Sequence, residues 1–585
     1  MGNEFGIAFV FVGFKSKELI SVKKKGNPYW FFMSVLSILA INLFPMKNYR
    51  LRQIGLLVSL GAGLFTLNSC YKDYFETDKY TLSSYEPDLA APIVHSKMTI
   101  GDILPEQLGT FLNVANDNFV TLIYSSSNES RAMGEYILFP NQVFNQNLVL
   151  SASDANQING GSSASINALG TATMITNGEQ FTAASLTGGT MEVNITSDVP
   201  ASGTITVTWP LVLKNGNPLT RTITINYTGG LPVVGTASID MSGYTVDLSP
   251  NVSDFNALNY TYTATLAGGS AASAGQSVLV SAAMNNVLYD RISGNLGTRL
   301  IDIDPDTTFI QLFNNASLPD LGVFDILEPT LKVSVSHDMV IASQGQVAQL
   351  LGYKFNNQPV IFNAPTLTGG PLVVSSSPVL GQMVTSSYTA DYTNSTLKNL
   401  VEQKAPKLIT DLDVTINPTG GAALNEVMAT SKFKVDKELQ LPLRGLAFNF
   451  FVQDTAEFSL GNITESIQEA LFRIATINSF PVDGRMQLYF VDESYVIIDS
   501  LITNVNDKVI VSAPINSDGK SIGTSTKTVD VLMDETRINR LKDSKNVIIR
   551  SYIASANDGA QNVKIYSDNF IDIKLGMRVT LKLEN

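Results

Sequence analysis

The feature that most constrains this chain is a two-residue alternation of apolar and polar side chains. Ile205, Val207 and Trp209 alternate with threonines, a second run extends over residues 223–227, and a last one over residues 571–583. Side chains of a β-strand point alternately to its two faces, so this pattern predicts strands with one buried and one polar face. Strands of this kind form antiparallel sheets.

The segments between these runs have the composition of tight turns, as in residues 214–218 (KNGNP) and 516–519 (NSDG). Short helices are predicted at residues 395–404, after Asp534, and around residues 103–112. Strands and helices do not alternate regularly, which excludes a parallel α/β fold. We therefore predict a mostly-β chain of antiparallel β-sandwich domains, Ig-like or similar, with a few short connecting helices.

An internal repeat divides the chain. Residues 184–209 align without a gap with residues 465–490, so that Pro200 matches Pro481 and Gly203 matches Gly484. A weaker third copy begins at Thr330, about 140 residues from each of the others. We interpret each copy as a β-hairpin in which a proline closes the turn.

The repeat spacing and the length of 585 residues predict three tandem sandwiches. At roughly 100–200 residues per domain, a chain of this length holds about three to five domains. We place the sandwiches at residues 92–250, 251–392 and 393–585, where they would occupy equivalent strand positions. The 44% of hydrophobic residues is sufficient for packed cores, which excludes a wholly disordered chain.

Charge separates the first segment from the rest. Residues 1–69 hold eight basic and two acidic side chains, whereas the remainder holds 31 basic and 50 acidic ones, a formal charge of −19. From Met46, three basic residues precede a 14-residue apolar stretch at residues 54–67. That stretch is too short to span a hydrocarbon core of roughly 30 Å comfortably. Residues 46–69 therefore have the pattern of a removable signal peptide.

The signal ends in Leu67-Asn68-Ser69-Cys70, which resembles the lipobox of bacterial lipoproteins. The resemblance implies cleavage before Cys70, lipid attachment to its sulfur, and a membrane partner through that anchor. Several acyl chains on one cysteine, at about 0.8 kcal/mol per buried methylene, give stable anchoring. The alternative is a buried free cysteine that happens to follow an apolar stretch.

Two further segments flank the signal. Residues 1–45 contain a second apolar run, and we interpret them as a mis-called upstream extension; the alternative is an extra membrane segment. Residues 70–91 form an acidic tether that resembles the export signals of Bacteroidota lipoproteins. Together with the β-sandwich pattern, this resembles uncharacterised multi-domain outer-membrane lipoproteins of the Bacteroidota type. The resemblance implies an outer-membrane location, and the tether favours the cell surface over the periplasmic face.

Composition excludes several chemistries. A single cysteine excludes a disulfide framework, an iron–sulfur cluster and a Cys-based zinc site. The formal charge of −13 argues against nucleic acid as a partner. His95 and His337 lie 242 positions apart and match no triad or metal motif, and we expect His337 to be solvated or to cap a turn. We predict no catalytic residue, cofactor or metal.

Two sequence patterns resemble known kinds of site. Asp302, Asp304 and Asp306 have a partial calcium-loop spacing, but an EF-hand loop needs Gly at its sixth and Glu at its twelfth position. Thr307 and Phe313 occupy those positions. Trp209 is the only tryptophan after the signal, and its place on an apolar face predicts a core residue rather than a sugar platform. A pair of carboxylates acting as in glycosidases is not excluded by sequence.

We therefore expect a non-catalytic, lipid-anchored outer-membrane protein that acts as a scaffold or accessory subunit and contacts other surface proteins. Three alternatives stay open. They are a fimbrillin-like adhesin, a surface protein that binds glycan or lipid between its sheets, and a hydrolase that uses only carboxylates.

Overall fold

A computed structural model describes residues 88–103, 111–313, 323–420, 424–448, 450–458, 467–502, 504 and 507–581. The predicted signal peptide, the lipobox at Leu67–Ser69, Cys70 and most of the tether lie outside these residues. Antiparallel strands dominate the described chain, which confirms the predicted mostly-β, multi-sandwich class.

The strands are numbered in chain order. They are β1 (Asp88–Thr99), β2 (Leu112–Val114), β3 (Val120–Glu129), β4 (Gln142–Val149), β5 (Ala164–Thr173), β6 (Gln180–Ser197), β7 (Gly203–Lys214), β8 (Asn217–Ile225), β9 (Val233–Asp240), β10 (Thr245–Asp247), β11 (Ala257–Leu266), β12 (Ser277–Asn295), β13 (Arg299–Ile301), β14 (Asp306–Phe309), β15 (Val323–Ile326), β16 (Thr330–His337), β17 (Ser343–Tyr353), β18 (Pro359–Val360), β19 (Leu372–Val374), β20 (Val384–Ala390), β21 (Lys407–Ile416), β22 (Asn425–Met428), β23 (Lys434–Pro442), β24 (Arg444–Phe448), β25 (Phe450–Glu457), β26 (Ile467–Asn478), β27 (Val482–Val491), β28 (Ile497–Ser500), β29 (Lys508–Ile510), β30 (Ser525–Asp534), β31 (Asn546–Ser555), β32 (Val563–Lys564) and β33 (Phe570–Leu581).

Helices in the described chain are short, as predicted. They are α1 (Ile100–Ile103), α2 (Met133–Tyr136), α3 (Ala152–Asn159), α4 (Pro365–Thr368), α5 (Lys398–Glu402) and α6 (Glu535–Arg540), with 3₁₀ turns at Gln311–Phe313 and Leu541–Asp543. Asp534 caps α6 as expected, since its Oδ1 accepts a hydrogen bond from the Arg537 N–H at 2.8 Å. The predicted helix around residues 103–112 falls largely on residues outside the described ranges.

Most strands belong to three sandwiches that share one topology. In each sandwich, eight strand positions form two antiparallel sheets with the orders 1-8-3-6 and 2-7-4-5. This order is that of a jelly roll, in which two Greek keys pack face to face. We call the sandwiches rolls I, II and III.

The strand positions are occupied as follows. Roll I has the sheets β4-β12-β6-β9 and β5-β11-β7-β8. Roll II has β3-β23-β16-β20, and a second sheet in which β13 and β14 pair with β21, β21 with β17, and β17 with β18 and β19. Roll III has β1-β33-β26-β30, and β25-β31-β27 with β28 and β29 on β27.

The rolls are nested along the chain rather than arranged in tandem. Roll I lies between the first and second strand positions of roll II, that is, between β3 and β13. Rolls I and II together lie between β1 and β25, the first and second strand positions of roll III. In roll I the same connection is only residues 150–163, which contain α3.

This arrangement differs from the predicted boundaries. Residue 250 lies inside roll I, between β10 and β11, and residue 392 lies inside roll II, between β20 and β21. The reason is strand pairing over long sequence distances, since β1 pairs with β33 and β3 with β23. The acidic tether, predicted to end at residue 91, overlaps the start of β1.

The predicted repeat occupies equivalent positions in the three rolls, but the hairpin interpretation was wrong. The two strands of each copy belong to opposite sheets and are joined by an arch: β6 to β7, β16 to β17, and β26 to β27. The matched Pro200 and Pro481 lie in two of these arches. Gly203 is required by a close approach, because a Cβ there would lie 2.3 Å from the carbonyl oxygen of Thr265.

A buried side chain caps each arch at the same repeat position. Ser197, His337 and Asn478 end the third strands of their rolls and are each 0% exposed. Each accepts a hydrogen bond from the backbone N–H two residues later, at 3.1, 3.1 and 2.8 Å. An unpaired buried N–H costs free energy comparable to a lost hydrogen bond, so this cap stabilises every arch.

The rolls are joined by strands and packed side chains. One continuous hydrophobic cluster serves rolls I and II, and β22 from roll II pairs with the end of β12. Roll III has its own clusters. A three-stranded sheet of β15, β24 and β32 links rolls II and III.

Rolls I and II form an insertion within roll III. The chain leaves roll III for this insertion at Thr99 and returns to it at Phe450, and both residues lie at the end of roll III opposite to Asp88. Rolls III, II and I therefore follow one another away from the tether.

Candidate functional site

One place recurs in every roll. The first and second strands lie at the same edge of the sandwich but in different sheets, so no backbone ladder joins them. We call this edge the seam. Side chains alone determine whether a seam is open or closed.

The seam of roll I is open. A cleft of about 210 Å³ lies between β4, β5 and β11. It is lined by Phe144, Asn145, Gln146, Thr171, Ala172, Tyr260 and Tyr262. Aromatic rings, amides and a hydroxyl therefore converge in one concave place, which is the composition of small-ligand sites.

A column of rings supports this cleft from the core. Trp209 is 1% exposed, which confirms its prediction as a core residue, and it meets Tyr262 edge-on at 5.7 Å. Tyr262 in turn stacks on Tyr260, with ring centroids 4.5 Å apart and planes inclined by 25°. Because each ring is held by the next, the half-buried ring of Tyr260 has a fixed orientation.

Hydrogen bonds fix the polar groups of the cleft. The Tyr260 hydroxyl donates to Gln146 Oε1 at 2.6 Å, across the seam. On the exposed side, the Thr171 hydroxyl donates to Asn259 Oδ1 at 2.7 Å. The hydroxyl of Tyr262 is buried and makes no hydrogen bond within the described chain, and burial raises its pKa above the ordinary value.

Small residues on β5 create the space. Ala168, Gly170 and Ala172 lie on the face of β5 that turns inward. Gly170 is the direct neighbour of Tyr260, and a Cβ there would lie 2.5 Å from the Tyr260 hydroxyl. The sequence shows two tyrosines two residues apart, Tyr260 and Tyr262, and a separate strand with small residues at alternate positions. These two patterns indicate a cleft only once β5 and β11 are known to pair.

The seam of roll II is closed by polar side chains. Ser126 on β3 and Thr308 on β14 share a hydrogen bond of 2.6 Å. Lys437 on β23 is 1% exposed, and its Nζ lies 2.6 Å from Asp306 Oδ2 and 2.9 Å from Asn128 Oδ1. We call these five residues the polar seam of roll II.

Electrostatics favour the ion pair in the polar seam. Burial alone would raise the pKa of Asp306, but hydrogen bonds from Lys437 and Ser126 outweigh it and hold the pKa below its usual range. Burial lowers the pKa of Lys437, and Asp306 opposes that shift. The carboxylate is therefore what keeps a buried ammonium charged.

The aspartate run 302–306 is divided between two roles. Asp306 joins the polar seam, while Asp302 lies beside Asp413 on β21. Burial raises the pKa of Asp413, and the neighbouring charges of Asp411 and Asp302 add to the shift. Among the described residues, no group of three or more His, Cys, Asp or Glu side chains is placed to hold a metal ion.

The histidines have structural surroundings. His95 is exposed and lies 2.8 Å from Asp572. His337 is fully buried, which corrects the expectation of a solvated ring, and it caps its arch as the alternative expected. Its Nε2 donates to the Ser375 carbonyl at 2.9 Å while Nδ1 accepts from Met339, so the ring is neutral. Burial accordingly lowers its pKa.

The described helices are all too short or too polar to cross a membrane. Cys70, Leu67, Asn68 and Ser69, the predicted lipid-attachment site, lie outside the described residues.

Comparison with known proteins gives solved structures but no family. No family model and no curated protein matches the chain. A protein from Parabacteroides distasonis, described as secreted, shares 11% identity at a TM-score of 0.25, over 85% of this chain and 100% of its own. The Gx strain of infectious bursal disease virus gives 8% identity and a TM-score of 0.14, over 80% of each chain.

A triple jelly-roll protein of an archaeal virus gives 12% identity and a TM-score of 0.10, over 78% of this chain and 91% of its own. At these identities and TM-scores the similarities establish neither a family nor an activity, so the functional argument depends on the chain's own residues.

Proposed function

We propose that this protein is a non-catalytic lipoprotein of the outer membrane, anchored through Cys70, whose nested rolls present binding surfaces at the cell surface. Its role is that of a scaffold or accessory subunit that contacts other surface proteins. The observation that carries the proposal is the lipobox Leu67–Cys70 directly after a signal-peptide pattern. The geometry of roll III supports it.

The described chain enters roll III at one end and leaves it for rolls II and I at the opposite end. Asp88, where β1 begins, is 18 positions after Cys70. The turn before β28 lies at the same end as Asp88. Tyr495 and Val496 in this turn and Ile497, the first residue of β28, are each more than half exposed. Rolls II and I leave from the opposite end, so an anchor at Cys70 would place roll I farthest from the lipid surface.

The ionisable groups support a structural rather than a catalytic role. Two buried carboxylates have cationic partners: Asp499 lies 2.9 Å from Arg537 and 3.0 Å from Arg540, and Asp483 lies 3.1 Å from Lys508. His337 uses both ring nitrogens within its arch. A general acid or base needs a titratable group free to reach a reacting atom, and these groups are already engaged.

Metabolic labelling with a palmitate analogue tests the anchor. We expect the wild-type protein to be labelled and to sediment with membranes, and its mature amino terminus to be residue 70. The Cys70→Ala variant should be unlabelled, while the matched Ser69→Ala variant keeps a small residue before the cysteine and should be labelled. Equal labelling of wild type and Cys70→Ala would overturn the proposal.

A further inference from the structure

We propose that the cleft at the seam of roll I is a binding site for a single sugar ring, such as a terminal pyranose of a surface glycan. The inference deepens the proposed surface-binding role, because it names a ligand class for one roll. It rests on the shape of the cleft, its aromatic wall and its hydrogen-bonding groups.

The size of the cleft selects the class of ligand. A volume of about 210 Å³ is below the roughly 300–1,000 Å³ of pockets for drug-sized ligands. A cleft of this size suits one six-membered ring with its hydroxyls, whereas an acyl chain needs a long apolar tunnel. Five of the seven lining residues bear a polar side chain or a tyrosine hydroxyl.

The aromatic wall is prepared before a ligand arrives. Tyr260 is held by Tyr262 and, through it, by the buried Trp209. A ring fixed in this way offers an apolar surface to the C–H face of a sugar with little loss of side-chain entropy on binding. Phe144, on the facing strand β4, contributes a third aromatic side chain to the cleft, beside Tyr260 and Tyr262.

The polar groups suit a ligand rich in hydroxyls. The Tyr260 hydroxyl donates to Gln146 Oε1, so its oxygen remains able to accept a hydrogen bond from a ligand. Asn145 and Thr171 also line the cleft, but they lie on the outward faces of β4 and β5, and the Thr171 hydroxyl already donates to Asn259. None of the seven described residues that line the cleft is charged, so the site favours a neutral sugar over a phosphate or a carboxylate.

Saturation-transfer difference NMR on the full-length protein tests the inference. The protein is held in an amine-oxide detergent, because detergents with sugar headgroups would compete. The probes are methyl α-D-glucopyranoside, methyl β-D-galactopyranoside, methyl α-D-mannopyranoside and N-acetylglucosamine, with cyclohexanol as a ring of similar size that lacks the hydroxyl array. We expect saturable transfer to at least one pyranoside and a weaker signal for cyclohexanol.

Variants locate the binding. Tyr260→Ala should weaken binding of the responsive sugar at least tenfold, and Gly170→Val should do so by displacing the Tyr260 ring. Tyr392→Ala, at a tyrosine exposed on roll II, is the matched control and should bind as the wild type does. Unfolding curves confirm that each variant is folded. The inference is overturned if no pyranoside binds, or if Tyr260→Ala and Gly170→Val both bind as the wild type does. Labelling at Cys70 is independent of either result.

Discussion

Rolls I and II use the same seam in opposite ways. In roll I it is an open cleft whose walls are tyrosines and amides, crossed by the hydrogen bond between Tyr260 and Gln146. In roll II it is filled by a buried ammonium, a carboxylate and three further polar side chains. The topology is equal in the two rolls, so the side chains on a few strands cause the difference.

The length of the connection between the first and second strands of each roll explains the difference. In roll II the chain leaves β3 and returns at β13 only after 154 residues of roll I, from Gln142 to Asn295, so the two strand ends must be tied together. In roll I the connection is a short segment capped at Ser151, whose side chain and that of Asp154 form a reciprocal capping box. A seam with a short connection is constrained by the chain itself and can leave space for a ligand.

Breaking the polar seam should have the largest effect. Asp306→Ala leaves the buried Lys437 ammonium without its carboxylate, and we expect a loss of about 3–5 kcal/mol in the free energy of unfolding. Chemical denaturation measures it. The matched control is Asp530→Ala, which breaks an exposed pair with Arg473 at 2.6 Å and should cost less than about 1 kcal/mol. Similar losses in both variants would contradict a special role for the polar seam.

A double replacement separates charge from packing. Because a buried ion pair can be replaced by apolar residues at little cost, Lys437→Met with Asp306→Leu should recover most of the stability lost in Asp306→Ala. A double variant as unstable as the single one would show that the hydrogen bonds to Asn128 and Ser126, rather than the unpaired charge, account for the loss.

Removing a side chain from the seam of roll I should lower the free energy of unfolding by less. Tyr260→Ala removes a half-buried ring from an edge that already has a cleft, and we expect a loss of no more than about 2 kcal/mol. Denaturation under the same conditions checks it. A loss equal to that of Asp306→Ala would mean that the roll I seam, too, is mainly a structural contact.

The buried His337 in the arch of roll II should make the free energy of unfolding depend on pH. Burial lowers the pKa of His337 below about 6.5, its ordinary value, so the unfolded chain binds a proton more readily than the folded one. Stability from this group is therefore complete above that pH and is lost as the pH falls from there toward the lower folded pKa. Replacement of His337 by glutamine should flatten this part of the pH profile of the free energy of unfolding, which denaturation at a series of pH values measures. A variant whose profile is as steep as that of the wild type would contradict the assignment.

Several elements were predictable because their causes are local. The alternation of apolar and polar residues predicted the strands and the core position of Trp209. The Asn215-Gly216 pair predicted a tight turn, and it forms the turn between β7 and β8 with both residues at positive φ. The repeat was predictable for the same reason, since matched prolines and glycines mark the arches. The two strands of each copy lie in different sheets, because each pairs with a strand that is distant in sequence, as β6 does with β12.

The nesting and the cleft were not predictable from one sequence. Alternation states which face of a strand is buried but not which strand is its neighbour, and β1 pairs with a strand about 480 positions later. Likewise Asp306 appeared as part of a calcium-like run because its partner Lys437 is 131 positions away. Sites built across sheets depend on pairings that no local pattern records.

Disulfide cross-linking across the outermost pair of strands tests the nested arrangement most directly. Ala90 and Arg578 are cross-strand partners and both exposed, and the Cα separation of such partners, roughly 4.5–5.5 Å, permits a disulfide. In a full-length chain with Cys70→Ala, oxidised Ala90→Cys/Arg578→Cys should form an intramolecular cross-link that is visible by non-reducing electrophoresis, while Ala90→Cys/Thr222→Cys should not. Absence of the 90–578 cross-link, with both thiols reactive, would contradict the nesting of rolls I and II inside roll III.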